Sequence, residues 1–291
     1  MDNASRPHPL NDEFAYVEIC TFPEIPHVTV VRLDRPRKRN AINSAFWNEI
    51  GRVFEIIGSI GDGCRCVLLT GNGAAFCAGI DIGDVAFFPT ASPTSTDVAH
   101  VGISFLPKLK AMQDCFTALE QCSVPVVAAI HGQCIGAGID LICATDVRLC
   151  SSEAVFSVRE VALGLAADVG TLQRLPKITG NQSLVHELCL SGRDFHAMEA
   201  LGIGLVSRIS ENVFADALHL CATIASHSPV AVHGTKKSLL YARNHSVADG
   251  LDQIGAYNAL ALQTMDLPAA FATRSQKESP CFNDIPAFSK L

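Results

Sequence analysis

The stretch His131-Gly132-Gln133-Cys134-Ile135-Gly136-Ala137-Gly138-Ile139-Asp140 decides how the rest of the chain is read. Val124 to Ile130, just before it, is an unbroken apolar run of strand length, as expected of a strand buried on both faces. Beyond it an apolar segment of helical length opens on small residues. A buried strand, a glycine turn and a helix start make an α/β unit. Small residues at a helix start expose free N–H groups at the positive end of the helix dipole, a setting suited to a developing oxyanion. Gly136 and Gly138 would equally allow helix to pack closely on strand, and the residues alone leave both readings open.

The same arrangement occurs upstream. Cys66 to Thr70 is another continuous apolar run, followed by the turn Gly71-Asn72-Gly73 and then Phe76-Cys77-Ala78-Gly79-Ile80-Asp81. Glycine there lets a backbone N–H approach a ligand, or simply makes a tight strand-to-helix turn. Read together, the two turns offer N–H donors from around Ile80 and Ala137 to one carbonyl oxygen.

Working outward, Tyr16 to Cys20 and Val28 to Leu33 are β-rich runs separated by Pro23 and Pro26, which predicts a hairpin. From Ser44, a plausible N-cap, Phe46, Ile50, Val53, Phe54 and Ile57 recur at helical spacing until Gly58 and Gly61. Pro89 to Asp97 is rich in Pro, Ser and Thr and reads as a mobile loop bordering the substrate. Val147 to Cys150 and Ala154 to Val158 are further strands, and Ser183 to Leu190 and Val213 to His227 are amphipathic helices. The last third is helical, which places a soft boundary near residue 210 between segments 1–210 and 211–291. No segment repeats another closely enough for a solenoid.

A third segment, Val158-Arg159-Glu160-Val161-Ala162-Leu163-Gly164-Leu165-Ala166-Ala167-Asp168-Val169-Gly170, sets two carboxylates among apolar residues. Asp140 stands in a similar run. An ionised carboxylate in such surroundings is costly unless paired, hydrogen-bonded or partly protonated, and such environments tune acids and bases. Capping is the competing reading: Asp168 for a helix beginning near Thr171, Asp140 as a helix-start residue.

Bulk composition narrows the class. The 291 residues are 48% hydrophobic, enough for a substantial core, and 29 acidic residues outnumber 22 basic ones, which argues against binding nucleic acid. The one dense basic cluster, Arg35 to Arg39, fits a surface ion-pairing segment or a contact for a phosphorylated small molecule. Twelve cysteines lie scattered through apolar runs and read as core residues in a reducing compartment. Cys64 and Cys66 start no zinc-binding ladder, so no metal is expected. His131 reads as a hydrogen-bonded turn residue. No apolar run reaches bilayer length and the first residues lack a signal-peptide or transit pattern, so a soluble, non-secreted protein is expected. Ser289-Lys290-Leu291 matches the tripeptide read by a peroxisomal import receptor, which predicts location in the peroxisome or a related organelle such as a glycosome.

Arg35-Pro36 followed by Asn40-Ala41-Ile42-Asn43, then Ala78-Gly79-Ile80-Asp81 and Gly136-Ala137-Gly138, resemble in this order the recurrent marks of the crotonase, or enoyl-CoA hydratase/isomerase, superfamily. The likeness runs from about Val28 to the C-terminal helices. It implies an α/β spiral of repeated strand-strand-helix units and a helical C-terminal region used in forming a homotrimer or homohexamer. It also implies an acyl-CoA thioester substrate contacted by Ala78, Gly79, Ile80, Asp81, Ile82 and Ala137, with the thioester oxygen held by the N–H groups of Ile80 and Ala137. Coenzyme A then belongs to the substrate, and no separate cofactor is expected. Arg37 or Lys38 is expected at the CoA phosphates. Many relatives carry three glycines where this chain has Gly136-Ala137-Gly138, but a backbone donor survives alanine.

The acids discriminate within the family. A hydratase resembles this chain at Glu160 but carries glutamate where Asp140 stands and glycine where Asp168 stands. Leu165 to Leu175, with Asp168 among them, is similar to the branch that moves a diene along the acyl chain. The resemblance implies isomerisation of a 3,5-dienoyl to a 2,4-dienoyl thioester, as in β-oxidation of unsaturated fatty acids, with Asp140, Glu160 and Asp168 as catalytic acids. Glu160 is expected at carbon 2 and Asp168 at carbon 6, because one short carboxylate does not reach both ends of the anion. Asp140 is expected to tune the site. The rival readings are a hydratase using Asp140 and Glu160, and a non-catalytic subunit that binds CoA or a partner.

Overall fold

The computed structural model describes residues 5–57, 63–87, 97–276 and 280–286. Gly58, Gly61, residues 89–96 of the expected loop and Ser289-Lys290-Leu291 lie outside them. Asp97, the last residue of the expected loop, caps a helix, its carboxylate accepting from the N–H groups of Ala99 and His100.

A short strand β1 (Arg6–Pro7) pairs antiparallel with β2 (Val17–Phe22), which turns at Pro23 and pairs antiparallel with β3 (Ile25–Leu33), the expected hairpin. Helix α1 (Ser44–Ile57) follows and buries Phe46, Ile50, Val53, Phe54 and Ile57, the face read from the spacing, together with Trp47. Its cap lies one residue earlier than expected: Asn43 Oδ1 accepts the Phe46 N–H at 2.8 Å, while the Ser44 N–H goes to Asp84 at 2.7 Å.

From there strands of the large sheet alternate with short extended segments outside it. β4 (Cys66–Gly71) lies parallel to β3, and after it Cys77 makes a parallel bridge to Cys134; the long helix α2 (Val98–Gln121) comes next. β5 (Val126–Ile130) lies parallel to β4 and leads to β6 (Gln133–Ile135) and helix α3 (Ala137–Cys143). β7 (Val147–Ser151) lies parallel to β5, and β8 (Val155–Ser157) lies parallel to β6. After helices α4 (Thr171–Ile178) and α5 (Gln182–Ser191), β9 (Phe195–His196) pairs antiparallel with β8. Helix α6 (Ala197–Gly202) then leads to β10 (Arg208–Ser210), parallel to β7. Among the described residues this gives a seven-stranded sheet, β1-β2-β3-β4-β5-β7-β10, and a three-stranded one, β6-β8-β9. The repeat of strand, strand and helix is the spiral expected from the sequence.

The apolar runs of β4 and β5 are continuous because both faces of the large sheet are covered. Val67, Leu69, Ala128 and Ile130 face the main core with α1, whereas Leu68, Val127 and Ala129 face helix α7 (Val213–Ala225) through Ala217, Leu218 and Cys221. The period of two sorts the faces, and each fully buried large side chain contributes roughly 1.5–3 kcal/mol. Most cysteines are buried in these clusters and unpaired. Helices α8 (Pro229–Ala242), α9 (Val247–Ala261) and α10 (Asp266–Gln276) follow α7. No helix among the described residues is long and apolar enough to cross a membrane.

Candidate active site

Asn40 organises the first turn of the site. It is fully buried, has φ 55°, and its Nδ2 donates to the carbonyls of Asn72, Ala75 and Phe76 while its Oδ1 accepts from the Arg35 N–H. The segment that follows β4 is thereby fixed, and its backbone groups find partners on either side of Ile80. The Ala78 N–H donates to the Arg39 carbonyl, the Gly79 carbonyl accepts from Ile42, and the Asp81 N–H donates to the Ile42 carbonyl. The Ile80 N–H has no acceptor among the described residues.

The second turn mirrors it. The Gly136 N–H donates to the Ser157 carbonyl at 2.9 Å and the Gly136 carbonyl accepts from Ile139, leaving the Ala137 N–H, the first of α3, without an acceptor among the described residues. The two turns touch: a Cβ built on Gly79, whose φ is +94°, would lie 3.1 Å from the Ile135 carbonyl oxygen and 3.9 Å from the Ala137 nitrogen. The glycines differ in what they do for the backbone. Gly79 and Gly136 adopt positive φ beside the two donors, whereas Gly138 packs helix on strand, its missing Cβ only 3.1 Å from Cys77.

The three acids reach this place from separate elements. Glu160 opens a short 3-10 turn after β8, and its Oε1 lies 3.2 Å from the position of a Cβ on Gly136. Its Oε2 is buried without a partner among the described residues. Burial pushes the Glu160 carboxyl above its usual range, and the charge of Asp168 pushes it further. Asp168 lies just before α4, its backbone carbonyl held by Gln113 Nε2 at 2.7 Å, and loss of solvent raises its carboxyl as well. Asp140, 1% exposed, is pushed up to about 7, chiefly by burial, with Thr171 hydrogen bonding and Arg174 opposing and the Glu160 charge adding.

Asp140 stands in the first turn of α3, as expected, but the capping reading of Asp168 needs correction. Asp168 does not cap α4; the cap residue is Gly170, which has no side chain to offer. Asp140 does the capping from α3, its Oδ1 accepting the Thr171 N–H at 2.5 Å. A buried carboxylate far away in sequence thus supplies what a local residue was expected to supply.

A cavity of about 330 Å³ collects the site. Ala78, Gly79, Ile80, Ile82 and Ala137 line it together with Asp140, Glu160 and Asp168. Asp81 does not: it holds the turn, paired with Arg35 at 2.7 Å and accepting the Gly83 N–H. Of the two readings of the basic cluster, ion pairing therefore describes Arg35. The apolar wall was not identified from the sequence. Phe105, Leu109 and Met112 come from one face of α2, a helical spacing legible in the sequence, and Trp47 joins them, donating to the Met112 carbonyl at 2.9 Å. Apolar walls and two unengaged backbone donors on touching turns suit a thioester with a hydrocarbon chain.

Residues 26–256 match the family Enoyl-CoA hydratase/isomerase, and the chain belongs to that family. The human mitochondrial Delta(3,5)-Delta(2,4)-dienoyl-CoA isomerase is 49% identical over 256 residues, 87% of this chain and 77% of that protein. The peroxisomal enzyme of the same name from Arabidopsis thaliana is 40% identical over 253 residues, 86% of this chain and 90% of its own. In fold, the chain is similar to the crystal structure of an enoyl-CoA hydratase from Bacillus anthracis, with a TM-score of 0.80 and 26% identity over 92% of this chain and 99% of that one.

Proposed function

We infer that this chain is an isomerase converting 3,5-dienoyl-CoA to 2,4-dienoyl-CoA. The observation that carries the reading is the gathering of Glu160 and Asp168 in one cavity with the unengaged N–H groups of Ile80 and Ala137. Relatives 40–49% identical over most of the chain bear the name of that activity.

Glu160, beside the Gly136 turn, takes a proton from carbon 2. The electron pair of that C–H bond delocalises through carbons 3 to 6 and onto the thioester oxygen, where Ile80 and Ala137 donate hydrogen bonds. Asp168 then gives its proton to carbon 6, and the thioester carbonyl re-forms. Atoms and charge balance with no oxidant or reductant, so the chemistry calls for no cofactor beyond the CoA of the substrate.

The step requires the two acids to share one proton, and burial of both above the usual carboxylate range supports such a window. An acyl chain covering Asp168 strips its water and raises its carboxyl further, which favours the proton on Asp168 and leaves Glu160 as the base. Asp140 acts on this pair through charge and through its hold on α4.

The decisive experiment follows conjugated-diene absorbance with 3,5-dienoyl-CoA and identifies the product. A 2,4-dienoyl-CoA supports the reading; a hydroxyacyl-CoA, or no reaction, overturns it. We also propose assembly into homotrimers or homohexamers through the C-terminal helices, whose Leu251, Leu260, Leu262 and Phe271 are exposed in the single chain; light scattering that gives a monomer overturns it. Peroxisomal address through Ser289-Lys290-Leu291 is proposed beside the peroxisomal Arabidopsis relative, although the human one is mitochondrial. Imaging the chain with and without that tripeptide tests it.

A further inference from the structure

Asp168 stands on the wall between two spaces. One is the apolar cavity; the other is a polar cleft bordered by Gln113, Thr117, Glu120, Gln173, Arg174 and Arg243. Its segment has no regular structure of its own, so the aim of its carboxyl depends on what grips the backbone from the cleft. Two side chains do so. Gln113, on α2, donates from Nε2 to the Asp168 carbonyl at 2.7 Å. Arg174, on the first turn of α4, donates to the next carbonyl, that of Val169, at 3.3 Å.

Arg174 is itself held. Its guanidinium reaches Thr117 Oγ1 and Glu120 Oε2, both at 3.2 Å, and Glu120 takes Arg243, the residue after α8, on its other oxygen at 2.8 Å. The guanidinium also occupies the space beside Gly170, where a Cβ would fall 1.9 Å from Arg174 Nη1, and Gly170 has φ +141°. Any side chain at 170 would push the guanidinium off the Val169 carbonyl. Two consecutive peptides are thus fixed from α2 and α4, and the network continues to the C-terminal helices. Neither Gln113 nor Arg174 lines the substrate cavity.

We propose that Gln113 and Arg174 are positioning residues that clamp the Asp168–Val169 backbone and aim the Asp168 carboxyl at carbon 6, so that they govern delivery of the second proton and not binding or removal of the first. The inference rests on the isomerase reading. Misplacement of a reacting group by about 1 Å costs on the order of 10²-fold in rate, so loss of a grip on its backbone is felt in kcat.

The test compares wild type with Gln113→Leu and Arg174→Lys on 3,5-dienoyl-CoA, in water and in deuterium oxide. In Gln113→Leu, kcat falls by about tenfold to a hundredfold with KM nearly unchanged. The solvent isotope effect on kcat rises above that of wild type, because transfer from Asp168 becomes slower than removal of the carbon 2 proton. Arg174→Lys, which keeps the charge but not the fork, behaves in the same sense. If Arg174→Lys does not fold, Gln113→Leu, at a half-buried position, decides alone. A kcat equal to that of wild type overturns the clamp, as does a fall in kcat with an unchanged isotope effect, the mark of a merely structural role. A wild type that leaves 3,5-dienoyl-CoA untouched overturns the isomerase reading itself, and is told apart because it fails before any variant is compared.

Discussion

Asp140 Oδ1 accepts the N–H of Thr171 at 2.5 Å, so a buried acid on α3 caps α4 across 31 positions of sequence. Its carboxyl is pushed from 3.8 to about 7 in the folded chain. Between those values the folded state binds the extra proton, so stability declines as pH rises from about 4 to about 7 and is flat above, a loss on the order of 4 kcal/mol. Asp140→Asn keeps an oxygen for Thr171 and cannot ionise, and its urea midpoint should change less between pH 4.5 and 8 than that of wild type. Asp140→Ala leaves the Thr171 N–H buried and unpaired, at a cost of about 1–3 kcal/mol at every pH. Equal pH slopes in wild type and Asp140→Asn would show that Asp140 ionises freely.

Glu160 and Asp168 divide the proton transfers, and single substitutions separate them. Asp168→Asn should lower kcat by about 10²–10⁴-fold yet still exchange the carbon 2 protons of 3,5-dienoyl-CoA with deuterium oxide. Glu160→Gln should lose both. Because the Asp168 charge raises the Glu160 carboxyl, the pH midpoint of carbon 2 exchange in Asp168→Asn should lie below that of wild type. Exchange retained by Glu160→Gln and lost by Asp168→Asn, read by proton NMR, would reverse the roles.

How much of this was legible depends on the range of the interaction. The strands β3, β4 and β5 and the helix α1 follow from local apolar pattern, and the Ala78–Ile80 and Gly136–Gly138 turns follow from glycines placed after buried strands. The wrong element in the reading was capping. From sequence, Asp168 three residues before Thr171 looks like the cap of α4 and Asp140 only a helix-start residue of its own helix, because the Thr171 partner of Asp140 is brought to it only by the packing of α3 on α4. Asp81 shows the same limit: its neighbours line the cavity, but Arg35, from the end of β3, draws its carboxylate away. The hydrocarbon wall was within reach, since Phe105, Leu109 and Met112 share one helical face, but nothing local says which face of α2 meets a ligand and which meets the core.

Ala137 offers a clean test of the oxyanion reading. It is the first residue of α3, a position where proline is tolerated because its N–H would have no partner within the helix. Ala137→Pro removes the donor and sets a ring carbon where the thioester oxygen would sit. Loss of such a donor typically costs about 2.7–4 kcal/mol of activation free energy, or about 10²–10³-fold in kcat. Thermal unfolding should report a folded protein. An Ala137→Pro variant with the wild-type kcat would show that the oxygen binds elsewhere.

Gly136 couples the two halves of the site, and its substitution separates strain from contact. At φ +52° an alanine is strained, which costs roughly 1 kcal/mol, and its Cβ would stand 3.2 Å from Glu160 Oε1, tighter than ordinary contact. Glu160 must then move, and its Oε2 has no partner among the described residues to hold it in register. Gly204 also has a positive φ, +82°, but a Cβ there would meet nothing nearer than the Ile178 carbonyl at 4.0 Å, and it lies away from the cavity. Gly204→Ala should therefore lower the melting temperature without altering kcat by more than about twofold, whereas Gly136→Ala should lower both, with kcat down on the order of 10²-fold. If the two variants lost stability equally and kept equal kcat, the carboxylate beside Gly136 would not be the base at carbon 2. Positive φ is common to both and a close approach to Glu160 is not, so loss of kcat in Gly136→Ala alone points to the contact with Glu160.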